Sequence, residues 1–296
     1  MKSTVADYRR RIPCTRIECV GGTVFRFVAS PHDLTMSNGE VYLSNSIFDR
    51  TSVVLETSAR GALIDIKGFF DATGLQRDQI NSGLLDNARV YDFATTWSDP
   101  IEDEEEIILS TMGKATVSDG KYTIECMGLL DALTQSVGNT FGPLCTHILF
   151  DETLDGDIIS TDRSRCTGPR SAPDGPALAD YKVTGTLTSV TSTKVFADSS
   201  RAEAAGYFDY GSIKFTSGDN AGLRSLKIKK HTAGGTIELY HAPHYAVQVG
   251  DTYEMVPGCD HQRLGDCFTK FNNCKNCNGY DYMAPPEAYK EFGSNG

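Results

Sequence analysis

The sequence predicts a mainly β protein: a β-rich N-terminal region, then a small inserted antiparallel β-barrel or sandwich, then a cysteine-rich C-terminal segment. Three observations carry this. Short runs of β-branched and aromatic residues alternate with turn signals, and glycine is frequent at 28 of 296 residues. Six such runs crowd between Tyr181 and Val256, a density characteristic of small barrels and sandwiches. Four of the nine cysteines fall between Cys259 and Cys277.

Taken in order, Thr23–Ala29 alternates with period two and reads as a strand. Val53–Thr57, Leu63–Lys67 and Val90–Ala94 read as further strands. Asp78–Gly83 predicts one short helix, ended by Gly83. Ile107–Met112 and Ala115–Val117 follow, separated by Gly113. Lys121–Met127 comes next, and Asp119-Gly120 between two alternating runs signals a tight hairpin. Gly128–Gln135 then spaces its apolar residues helically.

Residues 151–180 break the pattern, being rich in Asp, Ser, Thr and Gly and holding Pro169, Pro173 and Pro176. From there the strand pattern resumes as Tyr181–Val190, Lys194–Ala197, Ser212–Thr216, Leu223–Lys230, Thr236–Tyr240 and Thr252–Val256. Ser217–Asn220, Gly234-Gly235 and Gly250-Asp251 supply turns between them. The expected organisation is therefore residues 1–144, a cysteine-rich region from 145–180 and 257–296, and the inserted module 181–256.

Composition narrows the function. Net charge is −11, with 40% hydrophobic and 23% charged residues, which is ordinary for a soluble globular chain. So acidic a chain is not expected to grip nucleic-acid phosphates as its main purpose, and sequence-specific nucleic-acid binding is not expected. Arg9-Arg10-Arg11 and Lys227–His231 read as solvated faces. No run of 18 apolar residues occurs, so membrane insertion is not expected. The polar, then basic Met1–Arg11 lacks a signal-peptide core. The chain is thus expected to fold in a reducing cytoplasm, where disulfides are disfavoured. An odd number of cysteines points the same way.

Clustered thiolates in a loop rich in Gly, Asn and Asp are how a chain builds a tetrahedral sulfur site. Two ligand sets satisfy that chemistry. Cys259, Cys267, Cys274 and Cys277 form a local set that needs no long loop closed, and Cys274-x-x-Cys277 is a common zinc half-site. On physical grounds alone this set ranks first. The other set is split: Cys145 and Cys166 precede the inserted module, and Cys259 and Cys267 follow it. The ends of a compact module often emerge together, and loop-closure cost grows only logarithmically with length. Metal binding energy would there serve as folding energy, stapling the C-terminal segment.

Other chemistry is thin. His241 and His244 lie at a strand end without a nearby carboxylate and read as structural. His261 either hydrogen-bonds a sulfur or is solvated. Glu102–Glu106 lacks the alternating oxygen ligands of a calcium loop and reads as a solvated loop tip. Cys14, Cys19 and Cys126 read as core or surface thiols. No phosphate loop, nucleophile elbow or His-Glu-x-x-His motif occurs, and the chain is expected not to be an enzyme.

Several segments together resemble the tail-tip hub family of long-tailed (siphovirus-type) phages and gene transfer agents, related to lambda-like tail-tip iron–sulfur proteins. They are Ile80–Val90, Gly128–Leu133, Val183–Val190, Ala205–Gly222, Val249–Tyr253 and Gly258–Asn273. The resemblance runs along nearly the whole chain in the family's order. It implies a homotrimeric structural virion protein of the tail tip, or baseplate. That protein would sit at the distal end of the tail tube and join the distal tail protein to the central tip or fibre protein. Assembly would occur in the bacterial host cytoplasm. It also implies a [4Fe-4S] cluster on two cysteine pairs, which carry over by position to Cys145, Cys166, Cys259 and Cys267. Two departures stand out: the Cys145–Cys166 gap is longer than the family's, and Cys274 and Cys277 fall where the family more often has apolar residues.

The split set with [4Fe-4S] is the favoured expectation, and the local set with Zn2+ its rival. Two other functions remain open: an iron–sulfur redox protein, which would need a second cofactor or substrate pocket, and a zinc-stapled binding module.

Overall fold

The computed structural model describes residues 11–44, 49–50, 63–70, 74–96, 105–128 and 142–280. The chain divides into two compact units, residues 1–136 with 222–224, and residues 137–221 with 225–296.

The first unit runs β1 (Arg11–Glu18), β2 (Val24–Val28), β3 (Leu34–Thr35), β4 (Val41–Tyr42), β5 (Asp49–Arg50), β6 (Leu63–Phe69), α1 (Arg77–Asn81), β7 (Arg89–Thr96), β8 (Glu105–Ser118) and β9 (Lys121–Gly128). Seven of these strands form one antiparallel sheet in the order β2-β1-β7-β8-β9-β6-β5. The alternation along β9 places Tyr122, Ile124 and Cys126 inward, where they pack with Ile17, Phe27, Ile66 and Val90. A smaller core gathers Cys14, Val28, Leu34, Tyr42 and Phe93. Cys14, Cys19 and Cys126 are thus core thiols, and burial pushes Cys19 up to about 11 and Cys126 to about 12.

The hairpin at Asp119-Gly120 forms as expected, with both residues at positive φ (45° and 78°). Ile107–Met112 and Ala115–Val117 are one strand, β8, whose register shifts between Met112 and Ala115. Gly113 therefore sits in a bulge and not a turn. Glu105 and Glu106 open β8, which corrects the reading of that acidic run as wholly a loop tip. Val53–Thr57, positions 102–104 and all of Gly128–Gln135 beyond Gly128 lie outside the described residues.

The second unit runs α2 (Leu178–Tyr181), β10 (Val183–Thr186), β11 (Ser189–Ser192), β12 (Val195–Ala197), β13 (Ser212–Phe215), β14 (Leu226–Thr232), β15 (Thr236–Leu239), β16 (Thr252–Val256) and α3 (Asp266–Thr269), with a 3-10 turn at Cys274–Asn276. Its sheet order is β10-β16-β13-β14-β15-β12-β11. The two outer strands are consecutive in sequence and separated by Leu187 and Thr188 alone. The Leu187 N–H donates to Asp251 O (2.9 Å), extending the β10–β16 ladder, and the Thr188 N–H donates to Ala197 O (2.8 Å), opening the β11–β12 ladder. One bent strand therefore pairs with β16 through its first half and with β12 through its second, which curls the sheet into a barrel-like form in which β10 and β11 each keep one unpaired side. The sequence pattern Tyr181–Val190 is this bent strand, preceded by the last residue of α2.

The curl shows in the core. Phe196 on β12 and Phe215 on β13 meet edge to face at 5.8 Å, although β14 and β15 stand between their strands. Tyr253 on β16 donates its hydroxyl to the buried Asp198 beyond β12 at 2.7 Å. A satellite core of Phe150, Leu154, Val256 and Phe271, with Tyr181 and Cys259 against it, joins the barrel's last strand to the cysteine-rich segments. Residues 151–180, expected to be irregular, contain bridges and turns as far as residue 177, and the short helix α2 from Leu178 corrects the expectation at its end.

Candidate metal centre

Three segments of the second unit converge on one place. The last enters at Gly258, packed so closely on Tyr210 and Gly211 that a Cβ there would lie 2.0 Å from the Tyr210 carbonyl carbon. The carboxylate of Asp260 accepts the N–H groups of Gln262 (2.9 Å) and Asp266 (3.1 Å), while Asp266 Oδ2 accepts the Asp260 N–H (3.0 Å). These reciprocal bonds turn the chain into α3 and bury Cys267 on it.

The segment holding Cys145 is pinned by the Cys145 N–H donating to His261 O at 2.8 Å. Cys166 lies between Arg165 and Thr167, both buried. Arg165 Nη2 pairs with Asp151, and Thr167 Oγ1 donates to the same carboxylate at 2.5 Å. The turn after Cys166 is closed by Asp174 and Gly175, whose N–H groups donate to Thr167 O (2.9 and 3.1 Å).

A strap from Asn273 to Tyr280 ties the segments together. Asn273 Nδ2 donates to the Cys166 sulfur (3.0 Å) and carbonyl (2.7 Å), and the Asn273 N–H donates to Cys267 O (2.8 Å). Asn278 Oδ1 accepts the Thr146 N–H (2.8 Å), and its amide donates to Thr146 Oγ1 (2.7 Å). The Tyr280 N–H donates to Gly142 O at 3.0 Å.

The result gathers Cys145, Cys166, Cys259, Cys267 and Cys277. Cys166 feels the charges of Cys259, Cys145 and Cys277. Cys267 feels those of Cys277, Cys166, Cys259 and Cys274. The backbone beside Cys277 lies against that of Cys145, where a Cβ on Gly279 would stand 3.1 Å from the Cys145 nitrogen, and Cys145 and Cys267 both act on the Cys277 thiol. Cys274 instead turns its thiol to donate to Arg263 O at 3.1 Å. Burial, with mutual repulsion added, pushes Cys166 up to about 12 and Cys259 to about 11, and raises Cys267 and Cys277 as well. Uncompensated, these groups are neutral thiols; a cationic centre would turn them into thiolates with release of protons.

The donor set suits a soft metal–sulfur group. Its ligands are all sulfur, and N–H donors point at them, from Asn273 at Cys166 and from the His261 backbone at Cys259 (3.3 Å). The His261 contact with sulfur is thus made by its backbone, held at φ 61°. Among the described residues, no three or more His, Cys, Asp or Glu side chains converge on the point a single ion would occupy. His241 is not part of this cluster, and His244 packs edge to face on Tyr245 at 4.6 Å.

Residues 11–153 match the family model described as baseplate hub protein, N-terminal attachment domain. The N-terminal part of the chain thus resembles the attachment domain of a baseplate hub protein. Residues 206–287 of this protein match a second model, the phage conserved hypothetical protein BR0599. Among solved structures it is similar to a chain of the virion of a native gene transfer agent (GTA) particle. That likeness has a TM-score of 0.75 at 22% identity and covers 94% of this chain and 90% of the other. No curated protein sequence matches. The two family matches contain Cys145 and Cys259–Cys277, whereas Cys166 lies between them, in the stretch 154–205 that neither covers. Among the described residues, no helix is long and apolar enough to cross a membrane.

Sequence reasoning missed two members of the site. Asn273 carried no signal as a sulfur donor, although it stands six residues after Cys267 in a cysteine loop. Cys277 was read only with the local zinc set, and the signal for its place beside Cys145 is the Asn278–Thr146 pair, which a linear sequence does not reveal.

Proposed function

We propose that this protein is a structural, non-enzymatic hub component of the virion tail tip. It would assemble as a homotrimer at the distal end of the tail tube and join the distal tail protein to the central tip or fibre protein. We further propose that Cys145, Cys166, Cys259 and Cys267 hold a [4Fe-4S] cluster, supplying a covalent cross-link between segments that share only a small apolar core. The attachment-domain match over residues 11–153 carries the assembly reading. The convergence of cysteines from both sides of the barrel supports the cluster, and Asn273 and the His261 N–H would orient and stabilise the thiolates. Zn2+ on Cys259, Cys267, Cys274 and Cys277 is less well supported, because the Cys274 thiol is directed at Arg263 O.

The test is iron, acid-labile sulfide and zinc per chain in full-length protein purified without oxygen, with its mass in solution by light scattering. About four iron and four sulfide per chain is the stoichiometry of a four-iron cluster on four thiolates, and a trimer that caps purified tail tubes would support the hub role. One zinc without sulfide would replace the cluster with the local zinc staple. A stable monomer that never enters particles would sink the assembly reading.

A further inference from the structure

The site holds five thiols, one more than a four-thiolate group uses. Cys277 is the extra one, and its position is built. The Thr146–Asn278 bonds fix the strap on one side of Cys277, and the contact of His147 Nδ1 with Asn276 O at 2.6 Å fixes it on the other. Asn276 in turn donates to Asp174 Oδ1 (2.9 Å), and Lys275 pairs with Asp174 at 2.7 Å. Gly279 lies so close to the 143–145 backbone that a Cβ there would meet Pro143 O at 2.9 Å and Cys145 N at 3.1 Å. Cys277 is thereby held beside Cys145, and near enough to Cys267 for each thiol to raise or lower the other's proton affinity. It is half-buried, whereas both of those are buried.

Resting on the cluster reading above, we propose that Cys277 is a resident substitute ligand. When Cys145 or Cys267 is lost, Cys277 takes over its place on the metal–sulfur group without rearrangement of the fold. Cys277 needs only a side-chain rotation to do so, because the strap already sets its backbone. Cys274 cannot serve in the same way while its thiol is bonded to Arg263 O.

The test uses the full chain prepared without oxygen, with iron and labile sulfide per chain read for wild type and for Cys277→Ser, Cys145→Ser, Cys267→Ser, Cys145→Ser/Cys277→Ser and Cys267→Ser/Cys277→Ser. Wild type and Cys277→Ser are expected to load alike. Cys145→Ser and Cys267→Ser should keep at least about half of the wild-type iron, and the double variants less than about a tenth. Single variants as empty as the doubles would overturn the proposal and leave the cluster reading intact. A wild type without iron and sulfide would overturn both.

A second measurement does not depend on the variants folding. Loaded wild-type protein is treated with iodoacetamide, and modified cysteines are located by mass spectrometry. Cys277 is expected to be alkylated first, with the iron retained. Iron loss in step with Cys277 alkylation would make it an ordinary ligand and overturn its role as a substitute.

Discussion

The side-chain amide of Asn273 donates to both the sulfur and the carbonyl oxygen of Cys166, at 3.0 and 2.7 Å. Asn273 is buried, and its own Oδ1 accepts the Asn276 amide at 2.9 Å. One side chain thus links the turn of Cys166 to the strap that carries Cys277. Asn273→Ala would strand the Cys166 carbonyl in a buried setting, a loss of about 1–3 kcal/mol. The expected outcome is a lower urea midpoint for the second unit, followed by peptide-resolved hydrogen exchange, and faster exchange at Cys166–Gly175. Unchanged exchange in that turn would show that Asn273 does not hold it.

Gly258 marks the point where the barrel hands the chain to the cysteine loop. A Cβ there would overlap the Tyr210 carbonyl carbon (2.0 Å) and the Gly211 nitrogen (2.3 Å), both backbone atoms that cannot swing aside. Gly258→Ala should therefore push the loop off the barrel end and cost about 1–3 kcal/mol, the usual toll of overpacking. The amide of Cys145, bonded to His261 O, should lose protection while the barrel amides of Ile213 and Met255 keep theirs. Protection of Cys145 at the wild-type level would refute this.

A glycine of the first unit makes the analogous prediction for a sheet. Gly68 on β6 faces Tyr122 on β9, and a Cβ on Gly68 would lie 2.3 Å from the Tyr122 hydroxyl oxygen and 2.4 Å from the adjoining ring carbon. The ring covers the glycine and closes the core at that point. Gly68→Ala is expected to destabilise the first unit by about 1–3 kcal/mol. Tyr122→Leu should be destabilising too, but the double variant should cost less than the sum, since the clash disappears with the ring. Strict additivity in denaturant titrations would mean that the two residues do not constrain one another.

Much of the fold was legible in the sequence, for physical reasons that differ by element. β9 announced itself because one face is buried and the other is not, and β2 through its alternating sequence, although Phe27 and Val28 on its opposite faces are both buried. β1 did not. Pro13 and the arginines before it argue against an interior strand, yet β1 pairs with both β2 and β7. Its burial rests on Cys14, Thr15 and Ile17, and Thr15 is buried by donating its hydroxyl to Asp92, 77 residues away. The bend at Leu187–Thr188 was equally silent, because which ladder each residue joins depends on Asp251 and Ala197. In the site, clustering pointed to Cys259 and Cys267. The place of Cys277 was not legible, because it follows from hydrogen bonds across 132 residues, between Thr146 and Asn278.

The barrel also carries a titratable group in its wall, and the sign of its effect can be worked out. His231 on β14 is buried, with its ring edge-on to Phe208 at 5.0 Å. Burial lowers its pKa below the ordinary 6.5; the Ala204 carbonyl, Glu203 and Asp209 act in the opposite direction, and Arg201 adds to the lowering. Asp209 also accepts the His231 backbone N–H at 2.6 Å. With the folded value below the unfolded one, the unfolded chain binds more protons in the interval between them. Stability is therefore complete above about pH 6.5, the unfolded histidine value, and is lost as pH falls through the folded value. His231→Phe keeps an aromatic edge against Phe208 and has nothing to protonate. Hydrogen exchange of the barrel amides at pH 8, 7, 6 and 5, corrected for intrinsic rates, should show wild-type protection falling towards pH 5. The variant should lose less over the same range, since ordinary carboxylates begin to titrate only near the bottom of it. Equal losses in the two proteins would place the acid sensitivity elsewhere in the barrel.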